Sequence, residues 1–327
     1  MLRFSGPFLF LSLVPILYYA LGSAAPLLSI ALLLLALIGS ELLTPRADAG
    51  RIAENPRGFR LLVLLYIPAQ IAVTMWAVWA SRHADAIGFW SLVFSVGVTG
   101  GVFGMLAAHE AVHSGDLFEA HLGNAMLTAM SYRHFRIAHI HGHHRWAGTE
   151  QDSATARLGE GFYHFLLRTV AGQFAEAWRF ERKRHGLRAI GDLVVMALLI
   201  VLIAVIAGPH ALLFFLLQSM VAVIVLELFN YIAHYGLMRG RDARGRLLQL
   251  DDRHSWNSSN LLANALIFNM GRHSSHHRKP AAPYQDLRMH DAPELPLGYA
   301  GSILLALVPP LWRRVMDEKA RAWALAA

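Results

Sequence analysis

The 327-residue sequence contains no cysteine. That excludes structural disulfides, thiolate-ligated zinc, iron–sulfur clusters and a built-in four-cysteine iron centre. Any bound metal must be held by histidine and carboxylate. Charge is also scarce, at 16% of residues against 55% hydrophobic, where an average soluble domain carries roughly a quarter charged. No Asp, Glu, Lys or Arg occurs in residues 4–40, 61–81, 86–108 or 193–226, the last holding a lone His210. A water-exposed surface cannot carry such runs, so the length, which alone suggests about two globular domains, does not set the architecture.

A bilayer core takes about 20 apolar residues per helix, so the two long runs each hold two spans. Gly22 to Pro26 interrupts the first and Gly208-Pro209 the last. The expectation is an all-α integral membrane protein with six transmembrane helices, at about 6–22, 25–43, 61–81, 87–109, 190–207 and 211–233. Ser23-Ala24-Ala25 also resembles the cleavage site of a secretory signal peptide. The apolar run resumes directly after it, which fits a two-span hairpin better.

The net charge of +7 raises the question of a nucleic-acid partner. The position of the basic residues answers it. In a six-span topology with both ends inside, the 29 Lys and Arg divide as Arg3, four in the 44–60 loop, ten between His113 and Ala189 and thirteen after Tyr235, with Arg82 alone opposite. This positive-inside pattern places the termini and large loops in the cytoplasm of a cell's inner membrane. A nucleic-acid face would need Lys, Arg and aromatics interleaved on a polar domain, and the sequence has none.

Histidine is abundant, with 18 copies. All but His83 and His210 fall on the cytoplasmic side or at the inner ends of spans, in segments 109–189 and 234–327. His109 and His113 in HEAVH are i and i+4 and project from one helix face. His-Glu-x-x-His is also the zinc metalloprotease signature, so this fragment alone leaves a membrane zinc protease open. His139, His143 and His144 follow in HIHGHH, again with i, i+4 spacing plus a neighbour, and His273, His276 and His277 in RHSSHH. His234 closes the sixth span in NYIAHYG, with Glu227 two turns earlier on the same face. Glu110, inside HEAVH, and Glu227 are the carboxylates placed to act beside the imidazoles, Glu227 by orienting one from behind.

Eight or nine imidazoles exceed what one metal accepts, because a tetrahedral zinc takes three or four ligands. The count points to two ions. Neutral imidazoles suit iron, copper and zinc alike. Soluble di-iron bundles are carboxylate-rich and use two Glu-x-x-His pairs; this sequence, with the single such spacing Glu110 to His113 inside HEAVH, does not, and a nearly all-His iron pair suits oxygen activation against a substrate dissolved in the bilayer.

The motifs HEAVH, HIHGHH, NYIAHYG and RHSSHH, in that order, resemble those of the integral-membrane alkane 1-monooxygenases, within the wider group of membrane fatty-acid desaturases and hydroxylases. Residues 152–184 and 291–317 are similar to the family outside the motifs, so the resemblance covers nearly the whole chain. It implies one membrane domain of six helices over 1–327, with a cytoplasmic His-rich di-iron cap. His109, His113, His139, His143, His144, His234, His273, His276 and His277 would hold two iron ions, with no haem and no iron–sulfur cluster. The implied activity is O2-dependent hydroxylation of the terminal methyl of a medium-length alkane to a primary alcohol. Electrons would come from a soluble rubredoxin reduced by an NAD(P)H-dependent reductase.

The sequence departs from the family at Ala138, Ala233 and Ser275, where carboxylates are usual, and at Met270-Gly271. Imidazole N–H groups would then need other partners, and Asp252, Glu150 or Asp152 could supply them. Trp76, Trp79 and Phe103 are candidates to line the alkane cavity. The basic stretches 179–188 and 239–246 are candidate docking sites for an acidic electron donor, and equally for anionic membrane lipids. A hydroxylase or desaturase acting on methyl-aromatic, terpenoid or fatty-acyl chains is the alternative within the same chemistry.

Overall fold

The computed structural model describes residues 2–43, 56–289 and 291–326. Most of the 44–60 loop, with Arg46 and Arg51, lies outside the described residues. Their regular structure is helical, with two isolated β-bridges and no strand among the described residues.

Six apolar helices form the body: α1 (Gly6–Leu21), α2 (Leu27–Leu43), α3 (Pro56–Ala80), α4 (Ala86–Val112), α5 (Arg188–Ala207) and α6 (Pro209–His234). Four of them, α3 to α6, are long and apolar enough to cross a membrane. The first two have 16 and 17 residues, or ~24 and ~26 Å at the α-helical rise. The helix bounds fall within a few residues of the charge-free runs because both are set by the same local chemistry. Pro7 stands in the first turn of α1, where its missing N–H costs nothing. The Asp85 carboxylate caps α4 by accepting from the Gly88 N–H at 2.9 Å. Gly22 and Gly208 break the chain with φ of 99° and 87°, a left-handed region that favours glycine.

The turns at 22–26, 81–85 and 208–209 lie at one end of the bundle. There Ser23 donates to Asp85, Ser91 donates to the Ala24 carbonyl and His210 packs edge-on against Phe89. The histidine motifs collect at the other end, with most of the described Lys and Arg. The faces of α5 and α6 differ sharply. Only Ala189 and Ile203 of α5 are buried, whereas the last turns of α6 are wholly buried.

Two amphipathic helices cover the motif-bearing end. Along Phe162–Lys183 the buried residues are Phe162, Phe165, Thr169, Gln173, Ala177 and Glu181, one stripe at helical spacing. In Pro309–Ala326, Trp312, Met316 and Ala320 form a similar stripe, with Trp312 packed on Tyr231 and Tyr235.

Candidate metal centre

The nine motif histidines come from four chain segments and converge in two groups. His109, His113, His139, His144 and His276 form one, and His143, His234, His273 and His277 the other. Within each group the ligand-type nitrogens all lie within 4.8 Å of one another. The groups adjoin, with the rings of His144 and His277 4.8 Å apart and those of His139 and His143 5.2 Å apart.

Local backbone explains the division. HEAVH ends α4 as ordinary α-helix, so His109 and His113 stay together. HIHGHH lies on a π-helical turn, Ala138–His143, in which residues five apart share a face. His139 and His144 therefore join one group and His143 turns to the other. The α-helical i, i+4 pairing read from the sequence does not apply in this segment. In the short helix His273–Arg278, His273 and His277 sit together by α-helical spacing and His276 faces away to the first group.

The contacts within each group are not ordinary hydrogen bonds. His144 Nε2 lies 3.0, 2.9 and 3.1 Å from the Nε2 atoms of His113, His139 and His276. His277 Nε2 lies 3.2, 3.2 and 3.1 Å from those of His143, His234 and His273. A neutral imidazole nitrogen offers one N–H or one lone pair, so it cannot satisfy three such neighbours. Protonating the rings would bring like charges together in a buried site. A shared cation accounts for both sets, and all-imidazole donors suit a first-row transition ion.

The far sides of the rings differ. His143 Nδ1 is 2.8 Å from Asp152 Oδ2, and His234 Nδ1 is 3.0 Å from the His254 carbonyl. Burial alone would raise the Asp152 carboxyl, but the His143 ring and the Thr155 hydroxyl hold it below the usual carboxylate range. Of the three carboxylates considered as substitutes, only Asp152 meets a motif imidazole. Asp252 pairs with Arg278 and Glu150 is exposed. The Nδ1 atoms of His109, His144 and His277 are buried with no hydrogen-bond partner in the protein. Ala138 and Ala233 are buried and apolar, and the Ser275 hydroxyl accepts from the Arg288 N–H. Replacing Asp152 with asparagine is expected to lower metal affinity or turnover about 10–100-fold. Chelator competition against the parent measures it, and equal metal retention would remove Asp152 from the site.

Glu227 is fully buried, where it accepts from Tyr132, Thr169, Gln173 and Asn230 at 2.9 to 3.2 Å. It thereby ties α6 to Phe162–Lys183 and to the segment leading into HIHGHH, and no bond to an imidazole is among its contacts. Glu110 accepts the Tyr284 backbone N–H at 3.0 Å.

A narrow slot of about 30 Å³ touches the centre between α4 and α6, lined by Leu106, Phe135, Leu226, Phe229, Met270 and Tyr299 beside His109, His139 and His273. Trp76, Trp79 and Phe103 lie elsewhere. Trp76 donates to the Tyr19 hydroxyl, Arg82 covers Trp79, and Phe103 is packed in the core against Phe10 and Tyr66. The sequence reading missed Phe229 and Tyr299. Phe229 adjoins NYIAHYG, but nothing in the local sequence marks Tyr299, which reaches the slot from a separate helix, Gly298–Ala306.

The fatty acid desaturase family profile matches residues 86–302. An alkane 1-monooxygenase 2 from Pseudomonas aeruginosa is 37% identical over 304 residues, covering 88% of this chain and 80% of the relative. An alkane 1-monooxygenase 1 from the same organism is 38% identical, covering 80% and 72%. The hydroxylase component of a xylene/toluene monooxygenase from Pseudomonas putida is 28% identical, covering 71% and 64%. By this extent of shared sequence, and with the histidine groups in place, the chain belongs to the alkane 1-monooxygenase family, a branch of the fatty acid desaturase family of oxidoreductases.

Proposed function

We propose that the chain is a membrane di-iron monooxygenase that converts medium-chain alkanes to primary alcohols by hydroxylating the terminal methyl. O2 is the co-substrate, and a rubredoxin-type donor with its NAD(P)H-dependent reductase supplies electrons. The observation that carries this reading is the pair of converging all-imidazole groups beside an apolar slot between two membrane-type helices.

On this reading the five-histidine and four-histidine groups each hold one iron. Bound there, the irons supply the O2 activation that C–H insertion needs. Each turnover consumes O2, two electrons and two protons, and releases the alcohol and water. Asp152 and the His254 carbonyl fix the rings of His143 and His234 so that each presents Nε2 inward. Leu226, Phe229, Met270 and Tyr299 position the chain end and exclude water. The slot holds no more than about one water-sized guest, so an alkyl chain enters once the side chains of Leu106, Leu226, Phe229 and Tyr299 that line it move aside.

The sidedness of the Lys and Arg supports a multi-pass inner-membrane protein with both termini and the metal site in the cytoplasm. The hairpin of α1 and α2 completes six spans in one membrane domain. With no cysteine in the chain, electrons arrive from outside it. The stretches 179–188 and 239–246 are its candidate docking sites, and Arg184 in the first stacks over Phe180.

Cells expressing the protein with a competent donor are expected to convert n-alkanes between hexane and hexadecane to primary alcohols, and His273→Ala to form none. Purified protein is expected to hold about two irons per chain. One zinc and no iron would favour a metalloprotease built on HEAVH. The xylene/toluene relative favours a second reading, hydroxylation of a methyl-aromatic. Iron-loaded protein that leaves alkanes intact and oxidises toluene or xylene would establish it.

A further inference from the structure

A second cavity meets the imidazole cluster from a different side. It has a volume of about 420 Å³ and lies where the first turns of α3 approach the end of α4. Glu110, His113 and Ser114 line it from one direction and Tyr284 and Gln285 from another. Val63, Leu64, Ala111, Ala281 and Ala282 give it an apolar wall, and Arg57 and Arg60 complete its rim. None of these residues lines the narrow slot, which touches the cluster through His109, His139 and His273. The cavity thus joins a polar corner to an apolar wall at the level where α3 and α4 reach the cationic end of the bundle.

The polar corner is rich in acceptors. Glu110 accepts the Tyr284 N–H. Glu119, also at the cavity, is engaged by Arg60. Gln285 is only 5% exposed, and its Oε1 is buried with no hydrogen-bond partner. A buried acceptor without a donor is costly, and rotation of the Gln285 amide into the cavity it lines would bring that oxygen to the O–H of a guest. An alkane or an aldehyde has no such donor. A carboxylate would pair with Arg57 only at the rim, and in the corner it would bring its charge beside Glu110.

We propose that this cavity binds a straight-chain primary alcohol, its hydroxyl donating to the Gln285 or Glu110 side chain and its alkyl chain lying along Val63 and Leu64. This rests on the reading of the chain as an alkane hydroxylase, whose product the site would hold. Alcohol bound here is separated from the slot where the chain end is oxidised. The arrangement favours release of the alcohol toward the polar face over a second oxidation.

The test is photolabelling of the purified full-length protein with a diazirine-bearing 1-octanol, followed by peptide mapping. Labels are expected in residues 57–64 and 280–285, and an n-octane probe is expected to label α4 and α6 near the slot instead. Gln285→Leu removes the acceptor at similar volume and is expected to reduce alcohol labelling about fivefold to tenfold. Ala281→Trp fills the cavity from its exposed edge and is expected to abolish that labelling. Labelling lost in both variants supports the site whether or not the preparation oxidises alkanes. Labelling unchanged in both overturns the proposal even if alkane oxidation is intact. Displacement of the alcohol probe by octanoate as readily as by 1-octanol would overturn the assignment to alcohols.

Discussion

Replacing His234 with alanine is expected to cost the protein about one iron per chain and all detectable alcohol formation, because it leaves three imidazoles where four converge. His234 Nε2 sits 3.1 and 3.2 Å from those of His273 and His277, and the ring is fully buried. The five-histidine group should respond differently. On the di-iron reading His113→Ala leaves four imidazoles, so its iron is expected to stay bound but be released at lower chelator concentration, with turnover lost because that reading needs both ions. A ligand that binds only the folded protein stabilises it, so His234→Ala should also unfold at a lower temperature than His113→Ala before chelation, and at the same temperature after it. Iron content, chelator titration and thermal unfolding separate the two variants. Two irons retained in His234→Ala, or full turnover by either variant, would dismantle the assignment of ligands.

The second large effect is expected far from any imidazole, at the contact of α4 with α6. A Cβ on Gly101 would lie 2.7 Å from Val225 Cβ and 2.8 Å from the Ala222 carbonyl oxygen, and one on Gly97 would lie 2.6 Å from Val221 Cβ. Small residues four apart let two membrane helices approach backbone to backbone. Residues 100–104 form a π-helical turn in the same stretch, just before HEAVH. α4 carries His109 and α6 carries His234, so the spacing between these helices helps set the spacing of both imidazole groups. Gly101→Leu should therefore fail to accumulate as folded protein or accumulate without iron. Gly101→Ala should be milder, with overpacking of this size costing ~1–3 kcal/mol. Gly39→Leu is the control. Nothing lies within 4 Å of a Cβ there, and leucine favours helix over glycine. Normal iron content in Gly101→Leu would show that the helix contact does not govern the centre.

Much of this architecture is legible in one dimension. The charge-free runs, the breaks at Gly22 and Gly208, and the capping Asp85 define the apolar helices because hydropathy and capping act over neighbouring residues. The four histidine motifs are legible for the same reason, each being a short cluster. The position of Arg82 apart from the other 28 Lys and Arg is a property of order along the chain.

The assembly of the centre is not local, and only the tertiary structure decides it. His143 meets His277 across 134 positions, and His144 meets His276 across 132. Helical spacing gives no hint that HIHGHH takes a π turn, and it is this turn that sends His143 to one group and His139 with His144 to the other. Asp152, Asp252 and Glu150 are equally plausible in the sequence, and only packing brings Asp152 to an imidazole. Tyr299 reaches the slot, and Gln285 the second cavity, on segments whose sequence carries no metal motif. Composition and order along the chain determined an all-helical, histidine-rich membrane protein without its own thiol redox centre. How the imidazoles divide, what lines their surroundings and where a guest fits depend on which distant surfaces exclude one another, a property of the packed helices.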